Sequence, residues 1–200
     1  MKKYKIFLWL LGGCILVVML AFLFLGQREE AAPAEPTLTV ETPQKLSASQ
    51  TETFTLDVTL NCLGEARYPA ASMSISFDPS RLEFLGVEEG NVFILSDENS
   101  TGQQLPDWSC NVQNSNDTGL INIMYLDMTG GRNAFTKELL DEACNVLLRL
   151  KFRLRGSVRA GDVLDLIVED AVFAASDETQ SLAMTTDTLK VKNGKIVVGE

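Results

Sequence analysis

The sequence predicts an all-β fold, an antiparallel β-sandwich of about nine strands in jelly-roll or Ig-like arrangement with one short helix. Three observations predict it. In residues 71–90 (ASMSISFDPSRLEFLGVEEG), Met73, Ile75 and Phe77 alternate with Ser72, Ser74 and Ser76, the period of a strand with one buried face. Asp78-Pro79-Ser80 ends that strand, because proline has no amide hydrogen for a ladder and its fixed φ suits a turn. Further apolar alternations recur along the chain, whereas residues 136–143 (TKELLDEA) hold the one good helix signal.

The elements follow in order. Residues 37–41 form a first strand. Residues 53–61 (TFTLDVTLN) form a second, with Leu56, Val58 and Leu60 on one face. Residues 71–77 and 82–87 lie on either side of the Asp-Pro turn. Residues 97–118 are rich in Asn, Ser, Gln, Asp and Gly and read as a long loop, with a short strand near residues 92–95. In residues 119–131 (GLINIMYLDMTGG), Ile121, Ile123 and Tyr125 have core parity, so Asn122, Met124 and Leu126 face outward and Asp127 sits at the strand exit. In the helix, Thr136 can cap, Glu138 and Asp141 favour the positive end of the dipole, and Leu139 and Leu140 can pack down. Residues 145–154 (NVLLRLKFRL), 163–174 (VLDLIVEDAVFA) and 188–198 (TLKVKNGKIVV) complete the set, the last with Asn193-Gly194 as its turn.

Residues 1–26 read as a cytoplasmic stub and a transmembrane helix. Residues 6–25 carry no charge, and at about 1.5 Å per residue they span roughly the hydrocarbon core of a bilayer. Lys2, Lys3 and Lys5 precede this run and Glu29 and Glu30 follow it, which places the remainder outside the cell. A cleavable signal peptide needs a shorter apolar run with a small-residue site close by, and Ala32-Pro33-Ala34 lies far from Leu25, so an uncleaved anchor is preferred. Residues 27–36 (QREEAAPAEP) are a polar linker, and residues 37–200 the folded domain.

Composition excludes several functions. The 200 residues carry 27 acidic and 17 basic side chains, a formal charge of −10, which argues against nucleic acid as a partner. No histidine is present, so the commonest general base and metal ligand is missing. No nucleophile elbow or phosphate-binding glycine loop occurs. The carboxylate pairs Glu88-Glu89 and Glu169-Asp170 lie on strands, where neighbours point to opposite faces and do not converge. Residues 97–102 imitate half of a calcium loop, but its twelfth position is Trp108, which cannot close the site. The expectation is a protein that is not an enzyme and uses no cofactor or metal. Residues 99–101 and 116–118 are formal glycosylation sequons.

A strand, an Asp-Pro turn, a Leu-Glu strand and a closing glycine resemble the early core of cohesin modules, the dockerin-binding β-sandwiches of cellulosome-type assemblies. Residues 53–61, 119–131, 145–154, 163–174 and 188–198 resemble the second, sixth, seventh, eighth and closing cohesin strands in that order, and a helix between the sixth and seventh resembles the type II variation. The resemblance implies a non-catalytic docking module whose partner, a dockerin-like module, lies across the sheet holding the third and sixth strands. It places Ala70 and Ser72 where cohesins often carry Asn and Asp, so a family hydrogen-bond anchor is reduced to small residues. With Ser74, Asn122, Met124, Leu126 and Asp127 they make the candidate partner surface, over which the long loop could fold with Trp108 as a lid. Cohesin topology also makes the second and seventh strands antiparallel neighbours, which allows a Cys62–Cys144 disulfide; two buried free thiols are the alternative, and Cys110 is left over either way. The runner-up function is carbohydrate binding to a polysaccharide, for which only Trp108, Tyr68 and Tyr125 are available as stacking aromatics outside the apolar run.

Overall fold

The structure is a computed structural model that describes residues 35–42, 46–49, 51–94, 104–130, 132–176 and 183–200. The expected anchor and most of the linker lie outside the described residues, as do the half calcium loop at 97–102 and the 99–101 sequon. Among the described residues, no helix is long and apolar enough to cross a membrane.

The alternating segments form eleven described strands: β1 (Thr37–Val40), β2 (Leu46–Ser47), β3 (Phe54–Leu60), β4 (Ala70–Ser76), β5 (Leu82–Glu89), β6 (Ser109–Cys110), β7 (Leu120–Leu126), β8 (Val146–Leu154), β9 (Val163–Ala174), β10 (Lys190–Lys192) and β11 (Gly194–Gly199). One sheet runs β10-β1-β3-β8-β5 and the other β2-β11-β9-β4-β7-β6. Their inner faces meet in an apolar core. Phe152 is fully buried at its centre, with ring centroids 5.6 Å from Phe77 and 5.5 Å from Phe84. The expected burial alternation holds along β4, where Met73, Ile75 and then Phe77 point inward.

The sheets are mixed rather than wholly antiparallel, and the reason is the closing segment. It does not fold into a hairpin at Asn193-Gly194. Instead β10 pairs in parallel with β1 in one sheet, and β11 pairs antiparallel with β9 and parallel with β2 in the other. The chain crosses between layers at Gly194, where an added Cβ would lie 2.7 Å from Val40 Cγ1. Asn193 Oδ1 accepts a hydrogen bond from the Val168 amide at 3.0 Å and secures the crossing.

The helix is also elsewhere. Residues 136–143 contain a single 3-10 turn, Lys137–Leu139, and Thr136 makes no side-chain capping bond. Asp141 Oδ1 accepts from the Ala143 and Cys144 amides at 2.8 Å, which turns the chain before a second helical turn can form. The α-helix α1 (Val112–Thr118) lies within the segment expected to be loop. Asn111 Oδ1 caps it by accepting from the Asn114 amide, and Gly119 (φ 71°) closes it in the left-handed region. The short strand near residue 94 is reduced to an isolated bridge between Ile94 and Gln104.

Helix α1 carries Asn116, whose side chain completes the open edge of β5. Its Nδ2 donates to the Phe84 carbonyl at 2.8 Å, and its Oδ1 accepts from the Phe84 amide at 2.9 Å. The 116–118 sequon therefore has its amide engaged in structure. Replacing both bonds by none should cost about 1–3 kcal/mol, so Asn116→Ala is expected to lower the thermal midpoint in a calorimetric melt.

An ion pair ties the Asp-Pro turn to the start of β9. Arg81 Nη2 lies 2.5 Å from Asp162 Oδ2, which also accepts from the Arg159 amide at 2.8 Å. The Arg159 amide first, and Arg81 next, hold the Asp162 carboxyl below the usual carboxylate range. A depressed folded-state value adds stability above the unfolded value, and this is lost as pH falls through the folded one. Asp162→Asn is therefore expected to flatten the acid limb of a melting-temperature profile below about pH 4 and leave its shape at neutral pH unchanged.

Candidate functional site

Strand β4 lies between β7 and β9, so its outward side chains have neighbours on both sides. Across to β7, Ala70 stands opposite Leu126, Ser72 opposite Met124 and Ser74 opposite Asn122. Across to β9, the same three stand opposite Ala174, Val172 and Asp170. Six of the seven expected partner-binding residues, far apart in sequence, therefore form three adjoining rows on one outer face. The first two rows are apolar around Ser72: Leu126, Ala70 and Ala174, then Met124 and Val172. Met124 is 51% exposed and Leu126 53%, while Ala70, Ser72 and Ser74 are half-buried between their neighbours. The third row is polar, with Ser74 Oγ donating to Asn122 Oδ1 at 2.7 Å.

The seventh residue, Asp127, stands at the rim. Its amide donates to the Pro69 carbonyl, and its Oδ1 accepts from the Thr129 amide and hydroxyl at 2.8 and 2.6 Å. It braces the strand exit. Beside Met124 a shallow groove of about 420 Å3 is lined by Ser72, Ser74, Ser109, Asn111 and Asn122.

Trp108 does not act as a lid on this face. Its indole Nε1 donates to the Leu147 carbonyl at 3.1 Å, and its ring stacks on Phe135 and meets the edge of Tyr125, both core residues. The described part of the segment after it extends the sheet sideways as β6, pairing Ser109 with Met124 and Cys110 with Ile123. The same packing removes the three aromatics offered for sugar stacking. Tyr68 and Tyr125 are 1% and 5% exposed, and Trp108 is half-buried with its ring held against Phe135 and Tyr125. Burial first, and the Asp127 carboxylate second, push the Tyr125 phenol up to about 12, so it remains a neutral hydroxyl, donating to the Asn133 carbonyl at 3.3 Å.

The neighbouring strands β3 and β8 pair antiparallel as expected. Even so, Cys144 is a free thiol, as is Cys110, so the Cys62–Cys144 bridge is not formed. Cys144 lies ahead of β8, in the turn held by Asp141, and not on its core-facing row.

Sequence reasoning missed the contribution of β9. Between Ser74 and Ile75 the pairing skips a residue, because Ser74 faces Asp170 while Ile75 faces Val168. This is a β-bulge. It breaks the alternation, so Glu169 and Asp170 are both exposed on the outer face instead of pointing to opposite sides. The signal was present in VLDLIVEDAVFA, where two polar residues fall together between the inward-facing Val168 and Ala171.

The outer face of the other sheet differs. There Asp57 pairs with Arg149, Glu88 with Lys151 and Glu83 with Arg153, at 3.0, 2.6 and 2.6 Å. These three carboxylates are matched within the domain, and among the described residues this face presents no exposed large apolar side chain.

A sequence model of the cohesin domain matches residues 38–198. The chain belongs to the cohesin family. Solved cohesin structures share its fold. The sixth cohesin of scaffoldin B from Acetivibrio cellulolyticus, in complex with a Cel5 dockerin mutant, superposes with a TM-score of 0.59 at 15% identity, over 82% of this chain and 99% of that one. A Clostridium thermocellum OlpA cohesin, in a type I complex with a dockerin, gives 0.56 at 17% identity, over 82% and 97%. A non-cellulosomal cohesin from the archaeon Archaeoglobus fulgidus gives 0.53 at 13% identity, over 84% and 93%. No curated protein sequence matches. Where the resemblance implies a type II-like helix, this cohesin domain has a single 3-10 turn at Lys137–Leu139.

Proposed function

We propose that this protein is a non-catalytic docking module that grips a dockerin-type protein module through the outer face of β4, β7 and β9, and that residues 1–26 hold it on a membrane with the domain outside the cell. One observation carries the docking reading: on a cohesin fold, Met124 and Leu126 stand exposed in register with Ser72 and Ala70 on a broad sheet face. Covering a large apolar side chain is worth about 1.5–3 kcal/mol, and an interface needs only a few such residues at its centre with hydrogen bonds around them. Ser74, Asn122 and Asp170 supply the polar border. Two of the three structures named above are cohesin–dockerin complexes, and the archaeal one is a non-cellulosomal cohesin, so the fold itself is not confined to cellulosomes.

The test is calorimetric titration of the full chain with a panel of dockerin modules, beside a retention assay on insoluble polysaccharide. Saturable binding of a dockerin, with a negative heat-capacity change from apolar burial, is the expected result. Retention on polysaccharide with no dockerin bound would reverse the assignment in favour of carbohydrate. Carbonate-resistant membrane association, with the domain digestible by protease added to whole cells, is expected for the anchor.

A further inference from the structure

Among the described residues, the large apolar side chains left exposed are Met124, Leu126, Met128, Val163, Ile167 and Val197. The first three lie on or beside the docking face. The last three stand together on the other flank of that sheet, where β9 meets β11. Alternation sets them there. Leu164, Leu166, Ile196 and Val198 are buried, so Val163, Asp165, Ile167, Lys195 and Val197 point outward. Across the two strands Val197 stands opposite Val163, and Lys195 opposite Asp165. On the other sheet such opposites close into ion pairs, as Arg149 does with Asp57. Here they do not: among the described residues neither the Lys195 nor the Asp165 side chain enters an ion pair or a hydrogen bond.

We propose that this flank is the contact between two copies of the chain, a two-fold dimer in which Lys195 of each copy pairs with Asp165 of the other. A closed homodimer sets one patch against itself, so the patch must complement its own pattern. Two sheets packed face to face keep their strands nearly aligned at a separation of about 10 Å, a gap that a lysine and an aspartate reaching toward each other bridge. The two-fold axis then runs either across the strands or along them. An axis across the strands, through the Lys195–Asp165 row, lays each strand on its own counterpart and stacks Lys195 on Lys195 and Asp165 on Asp165. An axis along the strands, between β9 and β11, lays β11 over β9 of the second copy. It matches Lys195 with Asp165 twice and Val197 with Val163 twice, with Ile167 adding apolar surface beside them. Of the two axes, only the second is complementary in charge. Withdrawal of the valines and isoleucine from water favours the contact, and the two ion pairs fix its register. The inference goes beyond the docking reading and does not depend on it.

The experiment is sedimentation equilibrium of the full chain in detergent, run on wild type, Lys195→Glu, Asp165→Lys and an equimolar mixture of the two variants. The expected result is a wild type that self-associates and single variants weaker by at least about tenfold, because like charges now face each other. The mixture is expected to recover wild-type association. In it the introduced glutamate faces the introduced lysine, and the native Asp165 of one chain faces the native Lys195 of the other. Recovery on mixing separates a contact between copies from any effect within one copy. Val197→Asn changes no charge and carries the test should a charge reversal disturb folding; it is expected to weaken association with its melt unchanged. A monomeric wild type, variants that all associate as wild type does, or a mixture no tighter than its two components overturns the proposal. Association through residues 6–25 is the same in every sample, so it produces the second of these outcomes and not the expected one.

Discussion

Met124→Arg is expected to weaken capture of a dockerin-type partner by about 30-fold or more while leaving the melting temperature within about 2 °C of wild type. The side chain is half exposed and lies between the Leu126 and Asn122 rows, beside the half-buried Ser72. A partner covering the face would desolvate it. Apolar residues at such centres cost about 2 kcal/mol or more when lost, which converts to about 30-fold in affinity. Arginine at that point leaves a charge beneath the contact. In the unbound protein the same substitution lies on solvated surface, where changes stay within about 0.5 kcal/mol. Met124→Ala should produce a smaller loss in the same direction. If Met124→Arg binds as wild type, with its melt unchanged, the partner uses another surface.

Gly90→Ala is expected to be the more damaging change to the fold, lowering stability by about 3 kcal/mol or more, or roughly 6–12 °C in the melting temperature. An added Cβ there would lie 2.0 Å from the Val146 carbonyl oxygen and 2.6 Å from that of Leu147, both backbone atoms at the start of β8. Neither can yield easily. The Val146 carbonyl accepts from the Asn91 and Val92 amides at 2.7 and 3.1 Å, and the Val146 amide donates to Asn91 Oδ1 at 2.8 Å. Relief of the clash pulls these bonds apart. The control is Gly156→Ala, where nothing lies within 4 Å of the added carbon and the melt should not fall. This is also the physical content of the closing glycine in the 71–90 signature: it lets two backbones touch where β5 leaves its sheet.

What could be read from sequence was whatever a local period determines. Met73, Ile75 and Phe77 declare their buried face by alternation alone, and Ile121, Ile123 and Tyr125 do the same. Placing Ser72 beside Met124 needed more, namely the pairing of two segments distant in sequence, and the family resemblance supplied it. The failures came where local preference met tertiary demand. Residues 136–143 have helical composition, but Asp141 turns their backbone. The polar 111–119 stretch looked like loop, yet a single asparagine cap, a glycine stop and the bridging Asn116 make it a helix. Asn193-Gly194 is a strong hairpin signal, but Leu189 and Ile196 are buried while β10 and β11 belong to opposite layers, and a two-residue turn motif carries no information about which layer receives each flank. Trp108 lies in a polar segment, which suggests a lid over the outer face, yet its large apolar ring packs inward beside Phe135. The bulge at Glu169 was readable in principle, as a break in alternation, and it changed the site most.

The crossing at Gly194 bears on the order in which the molecule can be completed during synthesis. Thr37 aligns with Lys190 and Leu46 with Val198, so the earliest and latest strands of the domain close each sheet together. Until that last stretch emerges from the ribosome, both layers stand unfinished and the ladder of β9 lacks its β11 neighbour. Such remote pairings make for slow assembly, and a nascent chain with open ladders is vulnerable to sticking to its neighbours. A chain stopped after residue 189 should therefore accumulate as aggregate instead of as a trimmed but working binder.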